Sequence, residues 1–145
     1  MTVEIRKAVS DDFRAVYDLI VEFATFIGTP EKVKISPEQM LEDQDIFKCL
    51  VATTGKEIIG FATYFFSYHS WSGKAVYLDD LFVLEGYRGQ GIGSKIFDEI
   101  VAIGKKEHCY KMRWQVSQWN SSAKTFYKMK GALIDDTEVN CDLIL

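Results

Sequence analysis

Two groups of residues near the middle of this chain could do chemistry. Asp79 and Asp80 stand together inside the apolar run of residues 76–83. Five residues on, Arg88-Gly89-Gln90-Gly91-Ile92-Gly93 sets three alternate glycines beside an arginine. A carboxylate in mid-strand is costly unless something bonds it, so the acid pair marks either a site or a structural tie. The glycines open a helical pattern, with Ile92, Ile96, Phe97, Ile100 and Val101 on one stripe. A helix start carries unbonded N–H groups and the positive end of the macrodipole. Glycines there let backbone approach a phosphate closely, and Arg88 could add a charged donor. The competing reading is a tight loop that needs glycine only for positive φ.

Two phosphate patterns fail. The Walker order is broken by Gly93-Ser94-Lys95, and the dinucleotide spacing by Gly89-x-Gly91-x-Gly93. Lys111 and Met112 also stand where a dinucleotide site wants an acid. What survives is Arg-x-x-Gly-x-Gly after a strand.

Several elements must position these residues. Residues 3–8 read as a strand. Ser10 is a plausible N-cap for a helix with Phe13, Val16, Tyr17, Ile20 and Phe23 on one side, ending before Gly28-Thr29-Pro30. Ser36-Pro37-Glu38-Gln39 is a capping box for a second short helix. Residues 50–53 and 57–67 form a hairpin in which Gly60 marks a bulge or a close approach. Residues 68–73 form a loop, and the central strand follows, with Asp79 and Asp80 facing opposite ways. The helix from about Gly91 to His108 then crosses to a strand over residues 112–116, a right-handed parallel βαβ unit. Ligands in such units bind beyond the carboxyl ends of the strands. That puts residues 83–93 and 117–122 at one mouth. Ser121 or Ser122 caps a short helix closed by Gly131, and residues 139–145 read as a last strand.

At 145 residues the chain reads as one domain spanning residues 1–145, and 48% hydrophobic content supplies its core. A net charge of −4 argues against nucleic acid as the main partner. Cys49, Cys109 and Cys141 are odd in number and widely spaced, so neither a disulfide framework nor a structural zinc is expected. His69 and His108 lack partners at ligand spacing, so no metal site is expected. The start is too short and charged for a signal peptide, and no apolar run approaches about 18 residues. A reducing cytoplasm and no membrane partner are the expectation.

The arginine-glycine loop resembles the acyl-CoA pyrophosphate loop of the GCN5-related N-acetyltransferase (GNAT) superfamily. Residues 77–83, Trp119-Asn120 and Phe126-Tyr127-Lys128-x-x-Gly131-Ala132 follow in the order of that family. Together with residues 64–73 they resemble its diamine (spermidine/spermine) N-acetyltransferase branch. The resemblance implies an α/β fold: a mixed, largely antiparallel sheet flanked by helices, with the parallel crossover forming an acetyl-CoA cleft. By position, Leu81, Phe82 and Val83 would offer backbone groups to the pantetheine arm and thioester carbonyl, where an N–H would stabilise the oxyanion. Arg88, Gly89, Gln90, Gly91, Ile92, Gly93 and Ser94 would hold the pyrophosphate. Asn120, Ser121, Ser122 and Ala123 would complete the cofactor wall.

On the residues alone, Tyr127 packs a short helix. The resemblance makes it the general acid that protonates the departing thiolate. Asp79 takes the place of a substrate-facing glutamate that helps position or deprotonate the amine, one methylene shorter here. Asp80 follows as in the family and is expected to be tied as scaffold within the acceptor site. Phe26-Ile27 stands where the branch often carries a tyrosine-glutamate pair, and His69 replaces an acid before Trp71. Glu138 remains as an acid, and Trp71 and Trp114 could wall the acceptor. The expected function is direct acetyl transfer from acetyl-CoA to a primary amine of a small molecule, a diamine, polyamine or amino-acid-like amine. The rivals are a protein-amine acetyltransferase and a non-catalytic acyl-CoA sensor. The branch also implies a homodimer.

Overall fold

β-branched and aromatic residues dominate the segments that pair. A computed structural model describes residues 2–145. They contain β1 (Glu4–Lys7), β2 (Lys48–Thr54), β3 (Glu57–His69), β4 (Gly73–Val83) and β5 (Lys111–Arg113), in the sheet order β1-β2-β3-β4-β5. The first four strands are antiparallel neighbours. β5 is parallel to β4, reached through the helix α3 (Ile92–Lys106). The mixed sheet with one parallel crossover agrees with the sequence reading. β5 is shorter than expected, and β3 runs two residues longer. Two compact units result, Met1–Trp114 and Gln115–Leu145.

In the first unit, helices cover both sheet faces. The helix α1 (Phe13–Phe26) presents Phe13, Val16 and Leu19 to a core shared with Val51, Phe61 and Phe82, joined by Met40 of the helix α2 (Pro37–Glu42). α3 covers the other face with Ile92, Ile96, Phe97 and Ile100, all buried. Gly60 is the close approach expected of it. A Cβ there would stand 2.9 Å from the Phe82 carbonyl oxygen and 3.5 Å from the Ile96 side chain. The register also slips at this point, where Ile59 is an extra residue opposite Ala52 and Thr53.

The caps depart from expectation in detail. Asp12, not Ser10, precedes α1, and the Asp12 carboxylate makes no cap bond to that helix. It takes both ends of the Arg6 guanidinium at 2.7 and 3.0 Å and the Val9 N–H at 2.8 Å. Ser36 caps α2 by accepting from the Gln39 N–H at 3.1 Å. The Gln39 amide, however, donates forward to Asp43 at 3.0 Å instead of closing the box. α3 ends with His108 at φ 59°, with His108 N–H on Lys105 O and Cys109 N–H on Gly104 O. That is a Schellman closure with histidine at the left-handed position.

The second unit holds the helix α4 (Ser121–Met129), whose end closes with Gly131 N–H on Lys128 O and Ala132 N–H on Tyr127 O. The strand expected over residues 139–145 is not formed. Those residues carry no regular structure, and Val139, Leu143, Ile144 and Leu145 are exposed. A strand needs a neighbour to take its ladder bonds, and no strand of the described chain pairs with this segment.

Candidate active site

The β3–β4 ladder slips once more, and the slip decides where the two acids point. Thr63 pairs with Asp80, but Tyr64 pairs with Leu78, so Asp79 is the extra residue of a bulge. β3 keeps its alternation through Phe61, Thr63 and Phe65. Opposite them stand Phe82, Asp80 and Tyr77, all on the α1 face. Val76 lies instead against Gly104 of α3, and Val83 against Gly93 at the start of that helix. The strand therefore changes phase at Asp79, and Asp79 and Asp80 share the α1 face. The expectation that they face opposite ways holds only for a strand without a bulge.

Their environments follow. Asp80 is partly buried, its N–H donates to Thr63 Oγ1 at 3.2 Å, and loss of solvent followed by the charge of Asp79 pushes its carboxyl up to about 6. Asp79 reaches the surface with protein crowded behind it, and that partial desolvation raises its pKa. Beside it, Phe65 and Tyr77 stack with ring centroids 4.8 Å apart, and desolvation then the Asp79 charge raise the Tyr77 phenol. β5 accompanies β4 only from Ala75 to Tyr77. In the first unit, among the described residues, the edge of β4 beyond Tyr77 has no strand partner.

The glycine loop opens beside that free edge. Leu81, Val83, Tyr87 and Arg88 line a hollow of about 270 Å³ together with Gly89, Gly91, Ile92 and Gly93. Gly89 and Gly91 have φ 77° and 78°, which explains glycine at both positions. The first ladder bond of α3 is Lys95 N–H to Gly91 O at 3.1 Å, so the amides of Gly91, Ile92 and Gly93 lie ahead of it. Left-handed glycines, a helix start and a concave wall suit a pyrophosphate. Gln90 is an exposed loop residue, Ser94 lies in the first turn of α3, and Phe82 turns away into the core. Arg88 spends its Nε on Val83 O at 2.7 Å and sets its guanidinium 4.7 Å from the Phe26 ring and 5.3 Å from that of Phe82. Phe26 thus stands with the glycine loop.

Other expected acceptor residues lie elsewhere in the first unit. His69 and Trp71 border a second hollow of about 320 Å³ with Tyr110, Lys111 and Arg113. His69 Nε2 is 3.1 Å from Ser67 Oγ, and Trp71 is fully exposed. Trp114 packs edge-on against Phe97, 5.2 Å away, on the α3 face. Sequence reasoning missed Tyr87, Tyr110, Lys111 and Arg113. The signal available for the last two was a basic residue on either side of Met112, at strand alternation.

In the second unit, Asn120 caps α4. Its Oδ1 accepts from the Ala123 N–H at 3.1 Å and the Ser122 hydroxyl at 3.2 Å, and Ser121 begins the helix. Tyr127 is half-buried in α4, its ring 5.5 Å from that of Phe126, and loss of solvent raises its phenol pKa. Glu138 is exposed. Among the described residues no cluster of three acids, histidines or cysteines could hold a metal ion.

The family model described as Acetyltransferase (GNAT) family matches residues 13–132. Thialysine N-epsilon-acetyltransferase of Mus musculus is 35% identical over 143 residues, 90% of this chain and 84% of that protein. Spermidine/spermine N(1)-acetyltransferase-like protein 1 of Homo sapiens is 32% identical over 141 residues, 90% of this chain and 20% of that protein. Among solved structures, a possible acetyltransferase from Clostridium difficile 630 superposes with a TM-score of 0.81 at 22% identity, over 100% of this chain and 99% of that one. The family model spans most of the chain and the mouse protein is 35% identical over 90% of it, and the chain belongs to the GNAT family of acetyltransferases.

Proposed function

We propose that this protein moves acetyl from acetyl-CoA directly to a primary amine of a small molecule, with Asp79 serving the amine and Tyr127 the departing thiolate. The observation that carries the reading is the bulge that sets Asp79 and Asp80 on one face at the free edge of β4. Acetyl-CoA supplies a thioester, whose carbonyl carbon is electrophilic and whose thiolate is a good leaving group. An alkylammonium has a pKa of about 10.4 and is almost wholly charged at neutral pH. Asp79, directly or through a water, takes the ammonium proton. The freed nitrogen forms the C–N bond as the C–S bond breaks, the Tyr127 hydroxyl gives its proton to sulfur, and the second proton that nitrogen sheds on becoming an amide returns through solvent to the phenolate. A raised phenol pKa keeps Tyr127 protonated and ready for that step. Gly89, Gly91, Ile92 and Gly93 hold the pyrophosphate, and Asn120, Ser121, Ser122 and Ala123 extend the cofactor wall.

The reading extends to one domain over residues 1–145, supported by a family match that runs unbroken from 13 to 132. It places the protein in the cytoplasm as a homodimer, with no nucleic-acid or membrane partner. Three free cysteines and an acidic net charge support the first and last of these, and the diamine branch supports the dimer. The test is CoA release from acetyl-CoA with a panel of amines, comparing wild type with Asp79→Asn. Turnover that Asp79→Asn lowers by about 100-fold is expected, and turnover only with a lysine-bearing peptide would replace this reading by protein acetylation.

A further inference from the structure

The second hollow of the first unit holds two cations that no feature of the acetyl-transfer chemistry uses. Lys111 and Arg113 line it with His69, Trp71 and Tyr110, and no acid borders it. Among the described residues neither cation has a carboxylate within salt-bridge distance. The parallel register pairs Arg113 with Tyr77 and Lys111 with Ala75, while Met112 pairs with Val76 on the α3 face. Lys111 and Arg113 therefore share the α1 face with Tyr77, and beyond the bulge with Asp79 and Asp80. Asp79 stands two residues beyond Tyr77, about 7 Å along the strand. The open face is thus bipolar, with two carboxylates at one end and two cations at the other. The Tyr77 ring lies between them as an apolar floor, with Phe65 stacked against it on the β3 side.

We infer that Arg113 and Lys111 form a subsite for a carboxylate of the amine acceptor, making the acceptor an amino acid with an amine on its side chain. This rests on the acetyl-transfer reading above and names its substrate class. The geometry fits in three places. The ammonium meets Asp79, the methylene stem lies over Tyr77, and the carboxylate meets the guanidinium, which offers it two parallel donors. An extended stem of four methylenes separates the two ends by about 7 Å, the separation of Asp79 and Tyr77 along β4. A diamine would bring its second ammonium against Lys111 and Arg113, so the same field disfavours it. The field is felt by Tyr110, whose phenol is lowered by bonds to Lys111 and Ser72 and by the charges of Lys111 and Arg113. The hollow is not the cofactor's. It reaches along β4 no further than Tyr77, and the glycine loop follows Val83, six residues and about 20 Å on.

The experiment compares two acceptors that differ only by the carboxylate, L-lysine and 1,5-diaminopentane, with wild type and Arg113→Gln. For wild type the ratio of kcat/KM, amino acid over diamine, is expected to exceed ten. Arg113→Gln, an exposed position, is expected to cut that ratio at least tenfold, chiefly through KM for lysine, as loss of a charge-assisted bond implies. A ratio unchanged by the substitution, or a wild type that prefers the diamine, would overturn the subsite. Equilibrium binding of L-lysine, followed by tryptophan fluorescence, separates this from a failure of the acetyl-transfer reading. Silence toward every amine, with lysine binding weakened at least tenfold by Arg113→Gln, removes the reaction and keeps the subsite. Lysine binding that Arg113→Gln leaves intact removes the subsite whether or not acetyl moves.

Discussion

The Nε of Arg88 donates to the carbonyl oxygen of Val83 at 2.7 Å, tying the glycine loop back to the last residue of β4. The same guanidinium lies over the Phe26 and Phe82 rings. It therefore holds the loop's shape as well as its charge. Arg88→Ala is expected to raise the KM for acetyl-CoA about tenfold, the value of one charge-assisted bond. Arg88→Lys is expected to recover little, because an ammonium on a flexible stem has no planar fork to lie on the rings. Initial rates at saturating amine measure both.

Asp80 makes the fold pH-sensitive in a stated direction. Its carboxyl titrates at about 6 in the folded protein and near 4 when unfolded. The folded state binds this proton more tightly, so the Asp80 contribution to stability is most favourable below pH 4 and is lost as pH rises from about 4 to 6. Asp80→Asn removes that loss, stabilising the protein at pH 7.5 by up to about 3 kcal/mol and flattening the slope between pH 4 and 6. Urea melts across that range test it, and a slope unchanged by the substitution counts against the assignment. Asp79→Asn should move the midpoint downward, since the Asp79 charge is the second cause of the shift.

In the proposed reaction Tyr127 acts on the leaving group alone, so its removal should separate chemistry from binding. Tyr127→Phe keeps the ring beside Phe126 and removes only the hydroxyl. The expected outcome is a kcat lower by about 100-fold with acetyl-CoA affinity changed less than twofold. Stopped-flow thiol detection and equilibrium binding give the two numbers, and an undiminished kcat would withdraw the acid role.

His108 carries a backbone cost at the end of α3. Its φ of 59° is left-handed, where a side chain is strained by about 1 kcal/mol. His108→Gly should keep the Schellman bonds to Gly104 and Lys105 and raise Tm by about 3 °C. Calorimetry settles it, and a lowered Tm would mean that the imidazole does work that the closure itself does not reveal.

The sequence was legible where one residue type answers one local demand. Gly91 at a helix start, Ser36 before Pro37 and the alternation through β2 and β3 each announce their structure without the rest of the chain. The glycine loop was legible for the same reason, whereas the free strand edge beside it was not, since the sequence suggested a longer β5. What was not legible depends on long-range register. Asp79 looks like any strand residue until Tyr64 pairs with Leu78 instead of Asp79. Ser10 caps no helix because residues 10–12 wind as a 3-10 turn ahead of α1, held by Arg6 on a different element through the Asp12 carboxylate. Lys111 and Arg113 acquire meaning only when the crossover sets them beside Tyr77. The carboxyl-terminal apolar residues alternate as a strand does, yet pattern alone supplies no neighbour to pair with.

The extra residue at Asp79 gives β4 two reading frames. Even-numbered side chains serve one core before it and the opposite core after it, so Val76 and Phe82 are buried against different helices. Deleting Asp79 would leave Thr63 opposite Asp80 and Tyr64 opposite Leu78 with nothing between them, a regular ladder in which every other side chain keeps its face. Both cores would survive the loss, and only the second carboxylate would go. The packing of the sheet therefore does not call for the extra residue. What the bulge adds is charge at a strand edge, at no cost to either core.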